Sequence, residues 1–379
     1  MKIAFIHNDK KIATGAHYIN DLISVKLKKH GIFVKNFYPK TILADSPTHL
    51  KGLANILFFY SLLEKKTEIS KYDLVQGTTY TPLPFLASNG IPVISHFGST
   101  TKGFLDSTPM AKNIEKETKK IWYDLKIKKI IKLNGKTKRP LRDIAEIEKY
   151  VASKAKKIIA ASLNIKNELV AMGIPQEKIE IIHNAIEDYW FEENNDPIIE
   201  NPKIVFLGRL GNDSFTLKLK GLDRIIHLYK KFPKIRKTTI CMTTNKKLKD
   251  YLRSSFGEHD LFVNFKKDLI PNILKNIKGS ILFLPSRYEG FSLSLIEGMS
   301  QGLVPVTYPV GVAPEIIRDG ANGYIVNSQK EAITRIEALV QNKKLREYMS
   351  QKAKETSFEF KSEKMVNHLS SFYKKVILE

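Results

Sequence analysis

Two glutamates eight positions apart carry the densest chemical signal in this chain of 379 residues. They stand at Glu289 and Glu297 within Ser286-Arg-Tyr-Glu-Gly-Phe-Ser-Leu-Ser-Leu-Ile-Glu-Gly298, directly behind the apolar run Ile281-Leu-Phe-Leu284. The run reads as a buried parallel strand, and residues 292–301 read as the helix that follows it. Glu289 then falls in the turn at the carboxyl end of a strand, and Glu297 falls inside the helix. Ligands of open α/β sheets bind at that edge. Two hydrogen-bond acceptors and a helix N-terminus around one crevice suit a ligand that is both phosphorylated and rich in hydroxyls, such as a nucleotide sugar.

A second pair of charges lies upstream. Lys203-Ile-Val-Phe-Leu-Gly-Arg-Leu210 reads as a strand ending in Gly-Arg, and eleven residues after Arg209 a helix opens at Lys220-Gly-Leu-Asp-Arg-Ile-Ile226. Two cations at strand and helix ends are able to hold a diphosphate, Arg through its planar fork and Lys as a point charge. Alone, each is as easily a surface salt bridge; with Glu289 and Glu297 in the same half of the chain the set gains weight. No His/Cys/Asp cluster has metal-ligand spacing, and neither a Gly-x-Ser-x-Gly elbow nor a Gly-x-x-x-x-Gly-Lys-Ser/Thr loop is present.

The elements that must position these residues alternate strand and helix almost throughout. Strands are expected near 3–7, 32–37, 74–76, 92–96, 157–160 and 179–183, and a second series near 204–208, 238–242, 261–265, 281–285, 304–308 and 324–326. Alternating βα units imply parallel sheets covered on both faces. The acidic, irregular stretch Asp188-Tyr-Trp-Phe-Glu-Glu-Asn-Asn-Asp-Pro197 separates the series. The expectation is an α/β protein of two doubly wound domains facing a cleft: residues 1–187, a linker at 188–200, and 201–361, with a last helix at 362–379 free to pack on either.

Composition narrows the partners. At 42% hydrophobic residues the chain has material for two cores, so disorder is excluded. One cysteine, Cys241, lies in an apolar strand-like run, which points to a buried thiol and a reducing, cytoplasmic setting. The first strand is too short for a signal peptide, and the run 53–63 is too short to span a bilayer. The net charge of +23 concentrates between Lys112 and Asp143, where twelve Lys/Arg face four Asp/Glu. There Lys119, Lys120, Lys128 and Lys129 interleave with Trp122 and isoleucines. That pattern fits either a helix lying on anionic lipid at the inner face of the cell membrane or an ordinary solvated face. No nucleic-acid-binding signature accompanies the charge.

Taken together, Gly208-Arg209, Lys220-Gly221, the Glu-x7-Glu pair and the tail Gly302-Leu-Val-Pro-Val306…Gly311…Pro314-Glu-Ile-Ile317…Asp319-Gly-Ala-Asn-Gly323 resemble the family 4 retaining glycosyltransferases of the GT-B fold. The first half fits as well, with Gly15 after the first strand, His96 in Pro92-Val-Ile-Ser-His-Phe-Gly98, and Ile158-Ile-Ala-Ala-Ser162…Gly173-Ile-Pro…His183-Asn-Ala-Ile186. The resemblance covers nearly the whole chain and is specific for fold and reaction class, not for the sugar.

The resemblance implies a role for each matching residue. Arg209 and Lys220 would bind the donor diphosphate and stabilise its growing charge. Glu297 would accept from the ribose hydroxyls, and Glu289 from hydroxyls of the donor sugar. Backbone N–H groups around Gly290, Phe291, Ser292 and Leu293 would add anion binding, Gly15 would admit the donor, and His96 would line the reaction centre. The expected catalytic set is thus His96, Arg209, Lys220 and Glu289, with a nucleotide-sugar donor (uridine the favoured base), a glycan or lipid-linked acceptor of the cell envelope, and no metal or cofactor. Two departures from the family stand out: Thr14-Gly15-Ala16-His17 where many members carry two glycines, and Asn264-Phe-Lys-Lys267 where relatives often have glycine. Two rival readings of these residues stay open, a same-fold nucleotide-sugar epimerase and a non-catalytic basic module that binds membrane or polymer.

Overall fold

A computed structural model of the chain describes residues 1–7, 15–40, 56–87, 90–110, 113–131, 138–192, 196–211, 213–243 and 245–379. Thr14, residues 53–55, Lys112 and residues 132–137 and 193–195, which enter the expectations above, lie outside them. The chain divides into two compact units. One comprises Met1–Leu105, Gly135–Glu187 and Phe360–Glu379, the other Asp106–Asn134 and Asp188–Glu359.

The first unit holds a parallel sheet of six strands among the described residues: β1 (Lys2–Ile6), β2 (Phe33–Phe37), β3 (Leu74–Thr78), β4 (Val93–Phe97), β5 (Lys157–Ala160) and β6 (Ile179–Ile181), in the order β2-β1-β3-β4-β5-β6. Every residue of β3 and β4 is buried, as helices on both faces of a sheet require. Consecutive strands β2 and β3 add on opposite sides of β1, which makes the carboxyl ends of β1 and β3 a topological switch point. The helix Ser362–Leu378 belongs to this unit. It packs on the helix Gly15–Lys29, and the Tyr373 hydroxyl donates to Gln76 Oε1 at 2.6 Å inside the core.

The second unit repeats the plan with β7 (Ile204–Arg209), β8 (Lys237–Met242), β9 (His259–Val263), β10 (Ile281–Leu284), β11 (Val304–Thr307) and β12 (Tyr324–Ile325), ordered β12-β11-β10-β7-β8-β9. Its switch point lies between β10 and β7, which pair in parallel through Ile281 with Ile204 and Leu282 with Val205. The two Rossmann-like sheets match the α/β expectation, and all twelve expected strands are present to within a few residues. Cys241 is buried on β8, and burial pushes its thiol up to about 12, so it is a core residue and not a nucleophile.

The expected division of the chain needs two corrections. Residues 106–134 cluster with the second unit, although the sequence places them between strands of the first. The reason is apolar burial: Ile114, Ile121, Trp122, Leu125, Ile130 and Ile131 join Leu217, Leu222, Ile225 and Leu228 in one core. The helix Lys116–Ile127 accordingly packs along the helix Leu222–Lys231. The second correction concerns the linker. Asp188–Phe191 forms a helical turn in the second unit, with Trp190 fully buried and its carbonyl accepting from Gln301 Nε2 at 2.6 Å. Among the described residues, no helix is long and apolar enough to cross a membrane.

Candidate functional site

The switch point of the second unit is built from two βα junctions. At the first, β7 ends in Gly208-Arg209, and the chain runs through the short helix Ser214–Leu219 to Lys220-Gly221 and the helix Leu222–Lys231. At the second, β10 gives way to Pro285–Ser292 and then the helix Leu293–Ser300. Gly221 joins the two. It adopts φ +66°, and a Cβ there would lie 2.3 Å from the Pro285 carbonyl oxygen, so only glycine fits on both conformational and steric grounds.

Polar ties then stitch the junctions together. The Arg287 backbone N–H donates to Leu219 O at 2.7 Å and its Nη1 to Lys218 O at 2.9 Å, while Arg224 Nη1 donates to Pro285 O at 3.0 Å. The outcome is that Lys220 and Glu289, 69 positions apart, meet at 2.6 Å between Nζ and Oε1. Ser286 Oγ donates to the same carboxylate oxygen at 2.7 Å, which fixes the glutamate from its other side.

The loop after Glu289 turns sharply. Ser292 sits in the left-handed region at φ +84° and ψ 71°, unusual for a residue with a side chain. It starts the helix Leu293–Ser300 without a side-chain cap, whereas Asp213, Asn245, Ser328 and Asn342 cap other helices of this unit. Backbone strain and an uncapped helix start at one position are common where a ligand docks. Gly311, at φ +60°, brings the next loop against this turn: its added Cβ would meet Phe291 O at 2.5 Å, and Val312 N–H donates to that same oxygen at 2.9 Å. Gly290, Phe291, Ser292 and Leu293 therefore form one braced turn around Glu289.

Glu297 lies inside this helix, with its carboxylate withdrawn from solvent and Lys267 Nζ at 3.1 Å from Oε1. Lys267 ends the segment Asn264-Phe-Lys-Lys267 and opens the short helical turn Lys267–Leu269. The sequence marks this segment only as a departure from the family pattern, and nothing local to Lys267 signals its contact with Glu297. Arg209 is exposed at the end of β7, and among the described residues no ion pair engages it.

Four other charged residues at the site also escaped the sequence reading. Arg287 grips the fully buried Asp223 with both Nη atoms, at 2.8 and 2.7 Å. Glu115, the residue before the helix Lys116–Ile127, bridges Arg287 and Arg224. Burial alone would raise the Glu115 carboxyl, yet the Arg224 and Arg287 guanidiniums hold it at about 2. The Arg224 guanidinium also stacks 3.9 Å from the ring centre of Tyr308. The available signal was a charged residue, Asp223, in the first turn of an otherwise apolar helix face.

The remaining expected residues belong to the first unit or to the surface. Gly15 opens the helix Gly15–Lys29 after β1, and His96 lies near the carboxyl end of β4, in register with Thr78 and Ile159. Burial pushes the His96 ring down to about 4, with Asn184 pulling weakly the other way, so the imidazole is neutral at physiological pH. Neither of its ring nitrogens makes a well-formed hydrogen bond among the described residues, and Asn184 is the side chain that bears on the buried ring. Lys119, Lys120, Lys128 and Lys129 are exposed. Trp122 is not: it is 5% exposed, with the Lys218 ammonium 5.8 Å from its ring centre. Among the described residues 113–131, the large apolar side chains that reach solvent are Tyr123 and Ile127.

Comparison with known proteins places this geometry. The family model described as glycosyl transferases group 1 matches residues 190–356, and that described as glycosyltransferase family 4 matches residues 35–188. An uncharacterized glycosyltransferase of Methanocaldococcus jannaschii is 28% identical over 224 residues; the match spans 55% of this chain and 55% of that relative, little more than half the length of each. Among solved structures, sucrose-phosphate synthase from Thermosynechococcus elongatus superposes with a TM-score of 0.75 at 13% identity, covering 100% of this chain and 99% of that one. Anabaena HepE in complex with UDP-glucose superposes with a TM-score of 0.66 at 16% identity, covering 99% of this chain and 100% of that one. With both family models matching in chain order and the Glu-x7-Glu pair in the turn and helix after β10, the chain belongs to the group 1, family 4 glycosyltransferases.

Proposed function

We propose that the protein transfers a sugar from a nucleotide-diphosphate donor, a UDP-sugar in the first instance, to a hydroxyl of a glycan or lipid-linked acceptor of the cell envelope. The observation that carries this reading is the Lys220–Glu289 pair, a cation and a sugar-type hydrogen-bond acceptor held 2.6 Å apart at the sheet's switch point. A diphosphate would draw Lys220 away from Glu289, freeing the carboxylate for sugar hydroxyls. Arg209, exposed at the neighbouring strand end, adds a second cation. On the family resemblance, Gly15 and His96 of the first unit take the sugar-side roles.

The reading includes retention of anomeric configuration. The bond between the sugar carbon and the phosphate oxygen breaks, the bond to the acceptor oxygen forms on the same face, and the departing phosphate oxygen takes the acceptor proton. Arg209 and Lys220 supply the countercharge for the departing diphosphate, so turnover needs no divalent ion. The test is product analysis with UDP-, GDP- and ADP-sugars in excess EDTA. An α-linked product from an α-linked donor is expected; an inverted product, an epimerised free donor or a strict metal requirement would overturn the corresponding part.

The exposed lysines Lys119, Lys120, Lys128 and Lys129, with Tyr123 and Ile127 beside them, support docking on an anionic membrane surface. Trp122 takes no part, because it is spent in the core. Flotation with vesicles containing anionic lipid at physiological salt tests this. Equal flotation after these lysines are changed to Glu would sink it.

A further inference from the structure

We propose that Glu115 is a positioning residue of the donor site: by bridging Arg224 and Arg287 it holds the loop from Pro285 to Glu289 against the segment from Lys218 to Arg224. The site is therefore incomplete without residues 106–134, which the sequence threads through the first half of the chain. This rests on the donor-binding reading of Lys220 and Glu289.

Three observations carry it. First, both guanidiniums that Glu115 meets bear directly on the catalytic junctions. Arg287 lies two residues before Glu289 and donates to Lys218 O, and Arg224 lies four after Lys220 and donates to Pro285 O. Second, the two arginines share one small, largely buried space with side chains 7% and 11% exposed, and Asp223 neutralises only one of them. Glu115 is the second counter-ion, and without it two cations would face each other across the junction. Third, the segment is anchored independently of Glu115. Ile121, Trp122 and Leu125 are in the core, Lys218 Nζ donates to Pro109 O at 3.2 Å, and Asn245 Nδ2 donates to Ile130 O at 2.9 Å. A segment tied down at both ends presents its carboxylate at a fixed point, which is what positioning requires.

The sign of the expected effect separates this role from plain electrostatics. Removing a negative charge near an anion site raises anion affinity if charge alone matters. Loss of position lowers it. Glu115→Gln should weaken binding of the recognised nucleotide, tested with UDP, GDP and ADP by calorimetry, by about tenfold or more. Glu115→Asp should recover part of that loss. Arg346→Met, which removes a buried guanidinium capping the carbonyls of Leu339 and Val340 in the same unit, controls for general destabilisation and should leave nucleotide affinity unchanged. Unchanged or tighter binding in Glu115→Gln, or an equal loss in Arg346→Met at matched melting temperature, would overturn the positioning role while leaving the donor reading intact. Silence of the wild-type protein to all three nucleotides would overturn the donor reading itself, and this one with it.

Discussion

Lys267 Nζ lies 3.1 Å from Glu297 Oε1, with only 12% and 8% of the two side chains exposed. The carboxylate proposed to meet the ribose is thus already paired, and a nucleoside bound there would share it with the lysine or displace the lysine. Removing the lysine takes a countercharge from a buried carboxylate, so Lys267→Met should cost about 3 kcal/mol of stability. Glu297→Gln should weaken UDP binding by about tenfold while leaving inorganic pyrophosphate within about twofold. Calorimetry with the two ligands checks this; equal losses for both would remove Glu297 from the ribose.

Lys220 and Glu289 differ in kind, because their pair is more open and Ser286 remains on Glu289 when the lysine is removed. Lys220→Ala should therefore leave the melting temperature nearly unchanged. Its effect should fall on turnover, with kcat reduced about 100-fold or more and a smaller change in donor KM, because the countercharge matters most as the diphosphate departs. Initial rates against donor concentration separate the two parameters. A rise in KM alone would assign Lys220 to ground-state binding only.

Gly221→Ala tests the joint between the two junctions. The left-handed backbone costs about 1–2 kcal/mol with a Cβ present, and the clash with Pro285 O adds about 1–3 kcal/mol. Gly98→Ala is the matched contrast, since an added Cβ there meets nothing within 4 Å. Thermal melts of the two variants should differ clearly. Similar melts would show that the loop carrying Pro285 yields easily.

Glu148 gives the first unit a pH dependence of its own. It is buried, accepts from Thr101 N and Oγ1 at 2.7 Å each, and is pushed up to about 7, first by burial and also by nearby Glu168, against the pull of Thr101. A carboxyl raised in the folded state binds more protons than the unfolded chain between about pH 4.5 and 7. Its stabilisation is full at the acid end and lost as pH rises through 7, on the order of 3 kcal/mol. His96, held at about 4, works in the opposite sense and stabilises as pH rises from 4 to 6.5. The wild-type trend should then be shallow, and Glu148→Gln should expose a stability that rises with pH. Denaturant melts between pH 4.5 and 7.5 check the slope; parallel curves for the two proteins would place the titration elsewhere.

Local signals were readable from the chain, and contacts between distant segments were not. The strand β10 is a continuous apolar run and β11 nearly one, both visible in any window, and the turn that follows β10 announces Glu289 by its place at a strand end. The apolar positions Ile121, Trp122 and Leu125 show that one face of their helix is covered, but their spacing holds no information about what covers it. For the same reason Trp122 looked like a membrane anchor while it is a core residue of the second unit. The ties from Glu115 to Arg224 and Arg287 span 109 and 172 positions, and the Lys267–Glu297 pair joins the short turn after β9 to the helix after β10; no periodicity encodes either.

The tie between Tyr373 and Gln76 bears on the order in which the protein takes shape during synthesis. A ribosome delivers β1 to β6 first, yet the helix that covers their core follows the whole of the second unit. The earlier-made unit is thus the later one to be finished, and its sheet waits, partly uncovered, for chain still to be translated. The second unit has no such debt, since residues 106–134 emerge before its first strand. Nascent chains arrested once residue 359 has cleared the exit tunnel should therefore resist protease across 188–359 and be cut within 1–105.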